Sequence, residues 1–222
     1  MKRLLVLLVL LSIFVFGLSA QSVTVDFKIV GHKVDFMKLQ ESVQSEINNG
    51  YTPLGITGYN DKLYFLYLSE NVMPMTAWQL SRYDSLEEMD ESIAGKITNG
   101  WFPAGYSELN GDFFILFLES PYKASYYMVK DSEIDSEKLG LQFEPFLRTG
   151  TIPMDLDILG DIQLYLSAQM ANMPAADWKQ ESFDFESENL QSEIAAEMVG
   201  RYLPWGLDIT EGVLRINFIK FK

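Results

Sequence analysis

The sequence predicts an α+β protein in which four similar units, each a strand, a helix and two further strands, follow one another. A proline-containing segment returns about every 50 residues, at Pro53, Pro103, Pro153 and Pro204. Apolar residues spaced by four precede each proline, and two apolar segments joined by a polar turn follow it. Such self-similarity at a fixed period is typical of a repeat architecture.

The four helices are predicted from apolar residues that lie four apart, which places them on one helix face. The sets are Leu39, Val43 and Ile47; Met89, Ile93 and Ile97; Leu139, Phe143 and Leu147; and Leu190, Ile194 and Met198. We expect side-chain caps at the helix starts, from Asp35, Ser85, Asp135 and the pair Glu186 and Ser187. Gly50, Gly100 and Gly150 stand where a left-handed residue ends a helix.

The strands are predicted on either side of each helix. First strands are expected at 23–30, 77–83, 125–130 and 177–185, and third strands at 63–68, 113–118, 162–166 and 213–221. A crossover helix makes the first two strands parallel, and a hairpin makes the third antiparallel to the second. The third strand is the most apolar and suits a central position. We therefore expect antiparallel or mixed sheets packed together, with the helices on the outside.

A second period of 100 residues groups the units in pairs. Met73 and Pro74 before Trp78 match Met173 and Pro174 before Trp178. The sequence thus predicts two halves, 21–121 and 122–222, each with too small a core to be stable alone. Together they are expected to form one compact pseudo-symmetric unit.

The first 20 residues are predicted to be a signal peptide. Lys2 and Arg3 give a positive start, residues 4–16 are apolar, and Ser19 and Ala20 end the segment with small side chains. An uncleaved anchor is the alternative, but a spanning helix needs about 20 apolar residues. We expect an exported protein, periplasmic or extracellular, with no stable membrane insertion after cleavage.

Composition excludes several classes of protein. The chain has no cysteine, one histidine, 31 acidic and 17 basic residues, and a formal net charge of −14. Disulfide frameworks and cysteine-ligated metals are excluded, and an acidic surface disfavours nucleic acid, whose phosphates need lysine and arginine. No catalytic or cofactor motif is present, so we expect neither a cofactor nor a resident metal.

The segment at the helix end resembles known modules. Residues 50–59, Gly-Tyr-Thr-Pro-Leu-Gly-Ile-Thr-Gly-Tyr, and 99–106, Asn-Gly-Trp-Phe-Pro-Ala-Gly-Tyr, carry the likeness. They are similar to bacterial tandem-repeat modules of exported proteins and to a short uncharacterised domain with Gly-Trp at its helix end. The resemblance implies no catalytic residues and an accessory or binding role.

The third unit departs most from this pattern, and its acidic residues are candidate site residues. Asp155 and Asp157, beside Met154, put two carboxylates on one side of a strand. Such a pair could bind Ca²⁺ or act as acid and base on a sugar. The alternative is a solvated strand edge. His32 is expected in an exposed turn before the first helix.

Aromatic residues are the second group of candidates. Trp78 and Trp178 on first strands, with Tyr51, Trp101, Tyr202 and Trp205 at the helix ends, could form a platform for glycans or peptides. The alternative is that they fill the joint between helix and sheet. The sequence therefore predicts an exported, non-catalytic binding or interaction module with an unknown protein or glycan partner. A carboxylate-based hydrolase acting on glycans is the alternative function.

Overall fold

The computed structural model describes residues 25–69, 73–121, 124–132, 145, 147, 149–159, 162–170 and 175–221. Within these ranges the chain forms three helices and four three-stranded antiparallel sheets. The protein is therefore α+β and mostly sheet, as the sequence predicts. The predicted signal peptide and residues 133–144 of the third predicted helix region, with its cap Asp135, lie outside the described residues.

The described elements occur in the predicted order. The helices are α1 (Phe36–Asn48), α2 (Leu86–Thr98) and α3 (Leu190–Glu197). The strands are β1 (Phe27–Lys33), β2 (Tyr51–Tyr59), β3 (Lys62–Ser69), β4 (Ala77–Tyr83), β5 (Trp101–Leu109), β6 (Asp112–Glu119), β7 (Ala124–Ser132), β8 (Thr151–Leu159), β9 (Ile162–Met170), β10 (Ala175–Asp184), β11 (Tyr202–Thr210) and β12 (Val213–Phe221).

All four sheets have the same strand order. The third strand of each set lies in the centre and pairs antiparallel with the first and the second, giving β1-β3-β2, β4-β6-β5, β7-β9-β8 and β10-β12-β11. The first and second strands are consequently parallel, as a crossover connection requires. The apolar central strands are buried on both faces; residues 114–118 of β6, for example, have no exposed surface.

Local signals define most helix ends. Asp35 accepts the N–H of Lys38 and Ser85 accepts the N–H of Glu88 at 3.2 Å, so both predicted caps are present. Gly50, Gly100 and Gly150 have φ between 81° and 87°, the left-handed conformation that ends a helix. The predicted start of the last helix is wrong, because α3 begins only at Leu190.

The segment before α3 is a turn held by its own side chains. The N–H of Glu186 donates to Asp184 Oδ1 at 3.0 Å, and the N–H of Asn189 donates to Ser187 Oγ at 3.2 Å. Ser187 therefore caps a turn in place of a helix, which is the usual competition between such side chains and helical hydrogen bonds.

His32 also differs from the prediction. It lies inside β1, paired with Leu63, and is half-buried. Its ring packs edge-on against Phe65, and Nε2 lies 3.5 Å from Tyr67 Oη. Pairing with the central strand extends β1 through His32 and places the imidazole beside aromatic rings. The resulting partial burial lowers the pKa of His32.

The second strands bring the four sheets together. β2 contacts β5, β5 contacts β8, β8 contacts β11 and β11 contacts β2, which closes a ring of strands. Each strand of this ring has a register shift just after its proline, as between Pro53 and Ile56. A β-bulge leaves main-chain groups unpaired in its own sheet. Those groups are free to bond to the neighbouring sheets.

The three described helices each contact a strand of another sheet. Trp78 Nε1 on β4 donates to Gln44 Oε1 on α1 at 2.8 Å, and α2 lies against β7. Gln191 Nε2 on α3 donates to the carbonyl of Phe27 on β1 at 3.0 Å. The fourth sheet thus packs on the first. In the described part of the chain, none of the helices has the length and apolar character to cross a membrane.

Candidate functional site

The predicted acidic residues lie at the centre of the ring of strands. Position 155 corresponds to glycines in the other three ring strands, and we call these four residues, Gly55, Gly105, Asp155 and Gly206, the hub. Asp155 is fully buried, and its carboxylate accepts main-chain N–H groups from all three other ring strands. Oδ2 accepts from Ile56 at 3.1 Å and Tyr106 at 2.9 Å, and Oδ1 accepts from Leu207 at 2.8 Å.

The glycines make room for this carboxylate. A Cβ on Gly105 would lie 2.7 Å from Asp155 Oδ2, and one on Gly206 would lie 2.6 Å from the carbonyl oxygen of Met154. Such distances are too short for any real Cβ contact. Because the backbones approach this closely, the hub holds a single side chain, and that side chain is Asp155.

Burial and hydrogen bonding act in opposite directions on Asp155. Burial is the larger effect and raises the pKa of this carboxyl well above its ordinary value. The hydrogen bonds from Ile56, Leu207 and Tyr106 favour the charged form and lower the pKa. The carboxylate therefore serves as a shared acceptor for the four sheets, in a place without contact with solvent.

A second layer of buried polar residues lies two positions beyond the hub, and we call Thr57, Ser107, Asp157 and Asp208 the polar layer. Each has at most 5% exposure. Gly58 N–H donates to Ser107 Oγ at 2.7 Å, Glu108 N–H to Asp157 Oδ2 at 2.9 Å, and Ile209 N–H to Thr57 Oγ1 at 3.2 Å. These three bonds link ring strands of neighbouring sheets.

Asp157 and Asp208 form a pair of carboxyl groups within the polar layer. The two buried side chains interact, because a carboxylate beside another carboxyl group favours the protonated form of its neighbour. Burial, with the charge of Asp208, raises the pKa of Asp157, and burial raises the pKa of Asp208 to about 6. Thr210 Oγ1 donates to Asp208 Oδ2 at 2.7 Å, and Arg215 Nη1 lies 3.6 Å from the same oxygen.

The prediction of a solvated strand edge for Asp155 and Asp157 is thus wrong. Their exposed fractions are 0% and 5%, and the side chain of Met154 beside them is also fully buried. The structure places Asp155 and Asp157 as acceptors that join strands, and Met154 as a buried apolar neighbour. Within the described ranges, no group of three or more histidine, aspartate or glutamate side chains is arranged to hold a metal ion.

Three of the four aromatic residues at the helix ends are covered by lysines, and the fourth, Trp205, is fully buried. Lys28 Nζ lies 3.6 Å from the centre of the Tyr51 ring, and Lys96 Nζ lies 4.5 Å from that of Trp101. Lys179 Nζ takes the same place over Tyr202 at 5.1 Å. These cation–π contacts occupy ring faces that a ligand would otherwise use, so these three rings serve the joint between helix and sheet.

Trp78 and Trp178, the candidate tryptophans on first strands, have different surroundings. Trp178 is 8% exposed and packs edge-on against Tyr165, with 6.3 Å between ring centres. Trp78 is only half-buried, and its indole N–H donates to Gln44 on α1. Of the two, Trp78 therefore presents surface to solvent.

Trp78 lines an open groove of about 600 Å³ between α1 and β4, and we call it the α1–β4 groove. Its wall on the helix side consists of polar side chains at helical spacing: Gln40, Glu41, Gln44, Ser45 and Asn48. Gln44 Nε2 donates to Asn48 Oδ1 at 2.9 Å while Gln44 Oε1 accepts from Trp78. The groove is therefore an open polar surface with one indole side chain.

No protein-family model matches the chain, and a search of curated proteins finds no significant match.

Sequence reasoning missed two sets of residues. Asp208 could have been found by aligning position 57 of the first unit with 107, 157 and 208, since all four are polar in otherwise apolar strands. Gln44 and Asn48 carry no such signal. They are ordinary residues of an exposed helix face, and only the packing of α1 against β4 sets them beside Trp78.

Proposed function

We propose that this protein is an exported, non-catalytic binding module, and that the α1–β4 groove is its ligand-binding surface. The observation that carries the proposal is a separation of roles. The carboxyl groups that could do acid–base chemistry are buried as hydrogen-bond acceptors, whereas Trp78 and a row of amide side chains line an open groove.

A carboxylate hydrolase is the weaker candidate. Paired carboxyls in a glycosidase flank the bond that they cleave, so substrate must reach both. Asp157 and Asp208 are almost completely buried, and main-chain amides of other strands already lie against them. Substrate access would require the ring of strands to open, which would break hydrogen bonds between sheets.

We further propose that the four sheets are tandem copies of one β-α-β-β unit. The identical strand orders support this, as do the register shifts that follow Pro53, Pro103, Pro153 and Pro204. Copies of one unit explain why hub and polar layer recur at the same offset after each proline. They also explain why function is best sought where one copy differs from the others.

The test is affinity capture on the mature chain, residues 21–222, from an extract of the source cell's envelope and culture medium. Proteins and glycans retained are identified by mass spectrometry, with Trp78→Ala and Asn48→Ala as parallel baits. We expect material that the unchanged chain retains and both variants lose. Val199→Ala is the matched control, because Val199 is exposed just after the end of α3 and does not line the groove. Retention that is equal for all four baits contradicts the proposal.

A further inference from the structure

We propose that the α1–β4 groove binds a neutral saccharide, with Trp78 as the stacking surface. This inference rests on the proposed binding function and adds the chemical class of the ligand. It depends on three properties of the groove: the kind of polar groups that line it, its charge, and the fixed orientation of its central side chains.

The polar lining consists mainly of groups that both donate and accept hydrogen bonds. The amides of Gln40, Gln44 and Asn48 each carry two N–H donors and a carbonyl acceptor, and Ser45 adds a hydroxyl. Sugar hydroxyls likewise donate and accept. A helix face that presents several amides is therefore complementary to a row of hydroxyls. It is less suited to a ligand that only donates or only accepts hydrogen bonds.

The charge of the groove disfavours anionic ligands. Among the described residues that line it, Glu41 carries the one formal charge, and the chain as a whole has a net charge of −14. Binding a phosphate, sulfate or uronate would place like charges close together without a cation among the described lining residues to compensate. The ligand is accordingly neutral.

The indole and the central amide are held in fixed positions. Trp78 Nε1 donates to Gln44 Oε1, and Gln44 Nε2 donates to Asn48 Oδ1 at 2.9 Å. Because both ends of the Gln44 amide are engaged, its orientation is set, and so is the edge of the Trp78 ring. An aromatic side chain fixed in this way offers a flat apolar surface at low entropic cost to the C–H face of a sugar ring.

The experiment uses the mature chain labelled with ¹⁵N, which has four indole N–H signals, one for each tryptophan. The neutral probes are tetrasaccharides of glucose, in α- and β-linked forms, and of N-acetylglucosamine. The comparison probes are tetragalacturonate, which is anionic, and tetra-alanine amide with an acetylated N-terminus. We expect a neutral saccharide to shift the Trp78 signal in a saturable way while the signals of buried Trp178 and Trp205 stay in place.

Variants connect binding to the proposed contacts. Trp78→Ala is expected to weaken saccharide binding about tenfold or more, as truncation of a central aromatic does at binding sites. Asn48→Ala should weaken it less, and Val199→Ala should leave it unchanged. Retained dispersion of the other indole signals shows that each variant is folded.

The outcomes separate the two proposals. If only the peptide shifts Trp78, the saccharide inference is wrong and the binding function stands. If tetragalacturonate binds as tightly as the neutral probes, the charge argument is wrong. If none of the probes shifts Trp78, the saccharide inference is overturned, and affinity capture that is equal for all baits would overturn the binding function as well.

Discussion

The two halves of the chain contribute different chemistry to the same ring of strands. At the hub and in the polar layer, the first half supplies neutral residues, Gly55, Thr57, Gly105 and Ser107. The second half supplies Asp155, Asp157, Gly206 and Asp208, with three carboxyl groups. Amides of the first half, such as those of Ile56 and Tyr106, donate to carboxylates of the second. The halves are thus complementary although their strand orders are equal.

The largest effect is expected when the halves are separated. Residues 21–121 alone lack the acceptor for Ile56, Tyr106 and Glu108 N–H, and the ring contacts from β2 to β11 and from β5 to β8 are lost. We expect this half to be unfolded by circular dichroism and to gain structure when residues 122–222 are added. A cooperative unfolding transition in the isolated half would show that the halves are independent.

The next largest effect is expected from Asp155→Ala. It leaves three buried N–H groups without their acceptor. Each unsatisfied buried donor costs about 1–3 kcal/mol of folding free energy. We expect the free energy of unfolding to fall by about 3–5 kcal/mol in urea titrations. Asp155→Asn keeps one carbonyl oxygen and should lose less. Glu91→Ala, on an exposed face of α2, is the control, and an equal loss in that variant would contradict the role of the hub.

Gly206→Ala tests whether the hub has room for only one side chain. Gly206 has φ of 84° and its added Cβ would meet the carbonyl of Met154 at 2.6 Å. Backbone strain and overpacking together should cost about 2–4 kcal/mol in unfolding experiments.

The matched change is Gly95→Ala in α2, where a Cβ has nothing within 4 Å. That alanine should stabilise the protein by about 0.5–1 kcal/mol, because glycine is unfavourable inside a helix. If Gly206→Ala and Gly95→Ala were both neutral or both destabilising, close packing at the hub would not be the reason for glycine at position 206.

The smallest effect concerns the pH dependence of stability. Because burial raises the pKa of Asp208 to about 6 from 3.8, the folded protein holds this proton more tightly than the unfolded chain. The resulting stabilisation is complete below about pH 4 and is lost as the pH rises through about 6. We expect Asp208→Asn to flatten the fall in Tm over this range by about 2–6 °C. Glu91→Gln should keep the slope of the unchanged protein, and an equal slope in Asp208→Asn would exclude Asp208 as its source.

Much of the fold follows from local patterns. Apolar residues four apart, the caps Asp35 and Ser85, and left-handed glycines at 50, 100 and 150 determine α1, α2 and the chain turns after the helices. The order of strands within each sheet follows from the crossover and the hairpin, since few connections are sterically open to them. The end of β1 and the start of α3 were misjudged, because strand pairing and turn capping outweighed local signals there.

For the candidate site residues too, part of the answer follows from the sequence and part only from the tertiary structure. The sequence by itself marked Asp155 and Asp157 as departures from the regular pattern and Trp78 and Trp178 as candidate aromatic residues, because position and residue type are visible in one dimension. Only the tertiary structure decided that the two aspartates are buried and that Trp78 but not Trp178 borders an open groove. The physical reason is that burial and hydrogen-bond partners come from strands and helices 34 to 152 residues away, from the bond of Trp78 to Gln44 to the bond of Ile209 to Thr57, and no local pattern encodes how those elements meet.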